Sequence, residues 1–397
     1  LFTNEFKDPA MPHELTLKNA RIVTSTEVVE GSVHLRDGLI ADIQPGRGDS
    51  TNALDLEGDF LIPGLVDLHT DNVERHLRPR RDADWPVLAA LLAHDAEMTA
   101  VGITTIFDSL YVGGRNLGPR NAETLNQTIS ALDAGRSKKI FRADHFLHLR
   151  AETSREEMPE RFSTVYPDPT VLLVSVMDHT PGQRQFANVE RGSGMGGGRF
   201  GGNRRDRGEG AVAVEEPVMT AEERQEKIAA PNRAKLIAML AGHPIALASH
   251  DDATVEHVEQ AHAEGIGIAE FPTSVVAAQA ARDKGMKIVA GSPNLVLGRS
   301  LTGNVSVEEL ARLGLLDVLA SDYVPASLLH AAFMLIEKIG MPLPEAINMV
   351  SLSPARLVGL HDRGSIETGM RADLVRVRIE DGLPVPVTVW REGKRVC

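Results

Sequence analysis

Histidines and carboxylates that end apolar runs are the residues of this sequence best suited to chemistry. The run 60–68 leads into His69-Thr70-Asp71. A spacing of two puts both outer side chains on one side of a strand, where they can share a metal ion. The run 171–178 ends in His179, 245–249 in His250-Asp251-Asp252, and 316–321 in Asp322. Along 142–152 the even positions Arg142, Asp144, His148, Arg150 and Glu152 are polar, Phe146 excepted, and the odd positions are mostly apolar. The even face should therefore look inward, with His148, Arg150 and Glu152 near its open end and His145 on the structural side. Any one such residue is more often structural, but packing does not explain the whole set. The candidate ligands are His69, Asp71, Glu152, His179, His250 and Asp322, with Glu270 in reserve for Glu152 as a bridging carboxylate. Imidazoles and carboxylates suit zinc, manganese or iron, as one ion or two. Such a site lowers the pKa of bound water, and Asp322 is the candidate to take its proton.

Arginine is the second signal. Arg75, Arg78, Arg80 and Arg81 follow the His69 pair, and Arg115, Arg120 and Arg150 come later. Guanidinium groups bind phosphate through paired hydrogen bonds. Arg150, Arg78, Arg80 and Arg115 are the candidate substrate-binding residues. Solvated surface is the competing explanation for each, and it is weakest for Arg150 on the inward face.

These residues need a scaffold that brings strand ends together. Apolar segments begin near Phe60, Gly102, Ile140, Val171, Ile245, Gly265, Met286 and Leu316, and helical patterns at 85–100, 122–134, 253–264 and 274–284 fall between them. Alternation of this kind predicts an α/β protein with a (β/α)8 barrel of the TIM type, its function at the carboxyl ends of the strands. A doubly wound open sheet is the alternative. Residues 11–58 and 361–397 are strand-rich at both ends of the chain and predict one small β-sandwich, leaving 59–360 for the catalytic barrel. Residues 192–210 are rich in glycine, and Gly192-Ser193-Gly194-Met195-Gly196-Gly197 matches a nucleotide-binding spacing. It joins no strand to a helix, so we read the segment as a flexible loop, with a lid as the lesser reading.

The 397 residues allow one large domain and a satellite, and a hydrophobic fraction of 42% allows a sizeable core. A net charge of −13 argues against nucleic acid or acidic membranes as partners and leaves a small phosphorylated molecule. A homodimer is compatible with this composition. Cys397 is the one cysteine, which excludes an internal disulfide and a thiolate metal site. With no secretory pattern and no long apolar run, a cytoplasmic location is expected. Met11 precedes the first strand, so residues 1–10 read as upstream sequence or a tail.

The segment 61–69, Leu-Ile-Pro-Gly-Leu-Val-Asp-Leu-His, resembles the entry strand of the amidohydrolase superfamily. The segment 364–375 resembles that superfamily's return into its small domain. The stretches 69–72 with Trp85-Pro86, 147–152, 177–186, 248–252 and 321–325 resemble, more narrowly, the α-D-ribose 1-methylphosphonate 5-triphosphate diphosphatases of the carbon–phosphorus lyase pathway. That resemblance implies water attack on a 5-triphosphate chain with release of pyrophosphate. His69-Thr70-Asp71 departs from the His-x-His of most amidohydrolases. The superfamily's histidine strands are usually the fifth and sixth, whereas here they count as fourth and fifth. The same fold acting on a C–N bond, as a cyclic amide hydrolase, deacetylase or deaminase, is the rival activity. A catalytically silent scaffold is the rival outside enzymes.

Overall fold

The computed structural model describes residues 14–46, 53–80, 83–113, 122–180, 184, 219–300 and 302–397. The glycine-rich segment 192–210, Arg81, Arg115 and Arg120 lie outside them. Strands β1 (Glu14–Val23), β2 (Val28–Arg36), β3 (Leu39–Pro45), β4 (Leu54–Asp55) and β5 (Phe60–Pro63) open the chain. They share a mostly antiparallel sheet with β14 (Leu374–Glu380), β15 (Leu383–Arg391) and β16 (Lys394–Arg395) from the other terminus. Between them run β6 (Leu65–Thr70), β7 (Ile103–Val112), β8 (Asp144–Glu152), β9 (Val171–Met177), β10 (Ala246–His250), β11 (Ile268–Glu270), β12 (Lys287–Gly291) and β13 (Val318–Ala320).

These eight strands form one parallel sheet in sequence order. It closes where Thr70 bridges Asp322: the Asp322 amide donates to His69 O at 2.9 Å and the Asp71 amide to Asp322 O at 2.7 Å. The chain is therefore a (β/α)8 barrel with a second sheet built from both termini. His179 follows the fourth barrel strand, His250 ends the fifth, and Asp322 follows the eighth.

The barrel strands are buried on both faces, as parallel strands between layers must be. All ten residues of β7 are buried. Val66, Leu68, Phe107, Leu173, Ala248, Ile268, Val289 and Val318 fill the barrel interior, and a larger apolar layer lies between strands and helices. Several helices start where a hydroxyl side chain caps the first turn. Thr254 accepts from the His257 amide, Ser274 from the Ala277 amide, and Ser306 from the Glu309 amide. The Thr254 and Ser274 caps end the loops after β10 and β11 at fixed points and so set part of the rim of the barrel mouth.

The sequence pattern reads 60–71 as one strand, but the chain changes sheets within it. Phe60–Pro63 pairs with β14 and β1, and Leu65–Thr70 pairs with β7. Gly64 is the crossing point, its amide donating to Asp373 O at 2.7 Å. A Cβ there would sit 2.2 Å from Thr104 Oγ1. Gly64→Ala should therefore lower unfolding free energy by about 1–3 kcal/mol through overpacking. Denaturant titration checks this, and an unchanged midpoint would show that the crossing has room.

A register shift between Asp67 and Thr70 also changes the facing of β6. Val66 and Leu68 belong to the barrel interior, yet His69 faces it too. The extra residue turns His69 and Asp71 onto the inner side together.

Candidate metal centre

The barrel mouth collects the polar ends of β6, β8, β9, β10, β11 and β13. His69 is buried, with Nδ1 2.8 Å from Glu270 Oε1 and Nε2 3.6 Å from Asp71 Oδ1. One set of donor atoms, from His69, Asp71 and Asp322, falls within 4.8 Å. A second set, from His179, His250 and Asp251, does so as well, and a third joins His69, His148 and Glu270 deeper in the barrel. His250 Nε2 lies 3.7 Å from Glu270 Oε2, so Glu270 stands between the two histidine sets.

The backbone is unusual at the same place. Asp251, Phe271 and Asp322 follow barrel strands with φ of 60°, 54° and 53°. Left-handed backbone is uncommon for residues other than glycine and costs most at bulky side chains such as Phe271. Its recurrence at three strand ends marks a mouth shaped for something other than packing.

The donors themselves bear the marks of a metal site. Both ring nitrogens of His250 and the Oδ2 of Asp251 are buried without a hydrogen-bond partner. Asp251 Oδ2 is 2.9 Å from His250 Nδ1, but the two are not aligned to bond. Buried orphan donors and acceptors are costly and call for a partner. Burial opposes a charge on His69, yet Glu270 and Asp71 outweigh it and raise its pKa to about 10. The carboxylates around His69 thus hold a proton that a divalent cation would replace. Burial, with His69 and Arg150 nearby, outweighs the pull of Glu270 and pushes His148 down to about 3, so this imidazole is neutral. Its Nδ1 is 2.9 Å from Leu68 O and donates there. The donor set fits a divalent ion bound through nitrogen and oxygen.

Not every sequence candidate joins these sets. Glu152 is hydrogen-bonded to His179 Nδ1, and its Oε1 accepts from the Ser154 hydroxyl at 2.6 Å. Burial works against its charge, but His179 and Ser154 hold its carboxyl below the usual range. Glu152 therefore orients His179, while Glu270 takes the central place between histidines. Arg150 is buried and donates to Asp71 Oδ1 at 2.5 Å, so it reaches the site through a ligand candidate. Arg78 pairs with Asp84 at 2.6 Å, and Arg80 is exposed on the same segment.

Asp251 and His148 join donor sets without having been singled out as ligands. Asp251 is one of two adjacent aspartates, and composition gives no means of choosing between them. Glu270 ends a short apolar strand, the same signal that marks His250 and Asp322. Arg184 is buried with φ of 49°; it donates to His250 O at 3.0 Å and pairs with Asp252. It fastens the segment after β9 to the end of β10. Arg184→Met leaves the Asp252 carboxylate buried without its cation. Unfolding free energy should fall by about 3–5 kcal/mol. An unchanged urea midpoint would show that the pair contributes nothing.

With this geometry in view, comparisons with known proteins decide the family. The model described as "Amidohydrolase family" matches residues 230–397. Alpha-D-ribose 1-methylphosphonate 5-triphosphate diphosphatase of Escherichia coli (strain K12) is 41% identical over 389 residues, covering 96% of this chain and all of that protein. This chain belongs to the same amidohydrolase family. Amidohydrolase architecture recurs in two solved structures of low identity, which speak for the fold alone. The 5-methylcytosine deaminase of Klebsiella pneumoniae aligns with a TM-score of 0.65 at 14% identity, over 96% of this chain and 98% of that one. N-acetylglucosamine-6-phosphate deacetylase of Pasteurella multocida aligns with a TM-score of 0.63 at 16% identity, over 96% and 99%. Like amidohydrolases in general, this one carries donor groups suited to a divalent metal. No helix among the described residues is long and apolar enough to cross a membrane.

Proposed function

We propose that this amidohydrolase cleaves α-D-ribose 1-methylphosphonate 5-triphosphate to the 5-phosphate and pyrophosphate, a step in phosphonate catabolism. The observation that carries this function is the likeness to the Escherichia coli diphosphatase along nearly the whole of both chains. The donor sets at the barrel mouth support it, because they suit hydrolysis at a polyanion.

A divalent ion, zinc in our account and one or two in number, would be held by His69, Asp71, Asp322, His179, His250 and Asp251, and would supply Lewis acidity and an acidified water. Water oxygen forms a bond to the α-phosphorus while the bond from that phosphorus to the bridging oxygen breaks. The bonding pair leaves on pyrophosphate. Asp322 accepts the water proton and later releases it to solvent or product. Glu152 keeps His179 oriented, and Glu270 does the same for His69. Arg150, beside Asp71, sets a fixed positive charge where negative charge develops on the phosphoryl oxygens. Arg78, Arg80 and Arg115 are proposed contacts for the outer phosphates. The enzyme so described works in the cytoplasm, which suits a chain with one cysteine, and a homodimer is its proposed assembly.

Hydrolysis of a C–N bond has behind it the shared fold and sequence likeness over at most 24% of the chain, against 96% for the diphosphatase. A silent scaffold would have lost donor groups that this chain keeps. Assaying the metal-loaded enzyme on a nucleoside triphosphate and on a cyclic amide separates the two activities. Turnover of the triphosphate alone is the expected result, and turnover of the amide alone would overturn the proposal.

A further inference from the structure

Behind β6, on the helix side of the barrel, lies a buried polar chain that the reaction above does not use. It begins at Asn72, the neighbour of Asp71. Asn72 is fully buried, and its Nδ2 donates to His94 Nδ1 at 3.1 Å and to Glu97 Oε2 at 3.0 Å. Arg75 Nη1 donates to the amide oxygen at 3.4 Å, so contacts at both ends fix which way the amide points. His94 must then accept through Nδ1 and donate through Nε2, which is 3.0 Å from Asp108 Oδ1. Asp108 Oδ2 lies 2.8 Å from His145 Nδ1, and His145 Nε2 lies 3.4 Å from Asp95 Oδ1. Asp95 is tied in turn to the start of β8, accepting from the amides of Arg142 at 2.9 Å and Ala143 at 3.0 Å.

The donor atoms of His94, Asp108 and His145 also converge within 4.8 Å. Each is already occupied by a hydrogen bond, and all three residues are buried. Hydrogen bonds, not a cation, join them. The chain therefore runs from the start of β8, through helix Val87–Ala100, to the residue that follows Asp71. Thr70, on the other side of Asp71, is also held, its amide donating to Ser109 Oγ at 3.1 Å. Asp71 is thus the middle residue of a turn fixed at both ends.

We infer that Asn72 is a positioning residue for the metal centre, and that the His94–Asp108–His145–Asp95 chain locks its amide so that Asp71 is presented to the ion. The inference rests on the metal-dependent function proposed above. Groups that orient ligands change metal affinity about 10- to 100-fold when removed. Asn72 contacts no donor of the candidate sets directly, so the lower end of that range applies.

The test is metal affinity by chelator competition with zinc, together with thermal melting and activity across a zinc titration. Asn72→Ala should bind zinc about tenfold more weakly, melt modestly below the wild type when metal-free because buried His94 loses its donor, and regain most of its turnover at saturating zinc. His94→Gln keeps an acceptor for Asn72 and a donor for Asp108, and should stay close to wild type. His94→Leu keeps neither; it should weaken zinc binding as Asn72→Ala does and melt lower, because buried Asp108 loses a partner. Unchanged zinc affinity in Asn72→Ala overturns the inference, and so does a metal-free Asn72→Ala that fails to fold or melts far below wild type. A wild-type enzyme that turns over fully without metal would instead overturn the metal reading, whatever the variants do.

Discussion

Asp322→Asn should lower kcat by about 10²- to 10⁴-fold at saturating metal, the usual contribution of a positioned proton acceptor. The substitution isolates chemistry from architecture. Asp322 has φ of 53° and its backbone closes the barrel through His69 and Asp71. Asparagine is among the few residues that adopt left-handed backbone readily. The closing hydrogen bonds use main-chain atoms and survive the change. What disappears is the carboxylate that can take a proton from water. A circular dichroism spectrum and melting temperature like the wild type, with turnover largely gone, is the expected pair of results. Wild-type kcat would remove Asp322 from proton transfer.

His250→Ala should weaken the stabilisation that metal gives and lower turnover at least a thousandfold. The expected loss follows from several kcal/mol of charge stabilisation at about 1.4 kcal/mol per tenfold. Both ring nitrogens of His250 are buried and unbonded. A ligand that binds only the folded state raises the melting temperature by mass action. Zinc should therefore raise the melting temperature of the wild type more than that of His250→Ala, which keeps the His69, Asp71 and Asp322 donors. An equal zinc-induced rise in both proteins would show that His250 is not a ligand.

Much of this architecture is legible in the sequence because strand ends carry a simple signal. Apolar runs that stop at His69, His250 or Asp322 are barrel strands reaching the mouth, and the structure places each of these residues there. The alternation along β8 likewise separates His148, which bonds inside the barrel to Leu68 O, from His145, which faces Asp95 on helix Val87–Ala100. Period-two patterning carries that information directly.

Other features depend on geometry that residue types do not encode. The split at Gly64 is invisible because 60–66 is uniformly apolar, and only pairing partners tell which sheet each half joins. The bulge in β6 is similarly hidden. Spacing alone places His69 beside Asp71 but opposite Leu68, whereas the register shift brings the interior-facing role from Leu68 to His69. The central carboxylate illustrates a third limit. Glu152 and Glu270 both end strands, and only the distances show that Glu152 contacts His179 while Glu270 lies between His69 and His250. Arg150 was legible as an inward arginine. Its bond to Asp71 was not, because that contact reaches past β7, from β8 to the end of β6.

Water attack at the α-phosphorus of the ribose 5-triphosphate fixes where solvent oxygen ends up. Phosphorus NMR of the products formed from α-D-ribose 1-methylphosphonate 5-triphosphate in ¹⁸O-water tests it most directly. Pyrophosphate without label and a sugar 5-phosphate that carries ¹⁸O are the expected products. Stepwise release of orthophosphate, label in pyrophosphate, or no turnover by metal-loaded enzyme would contradict it.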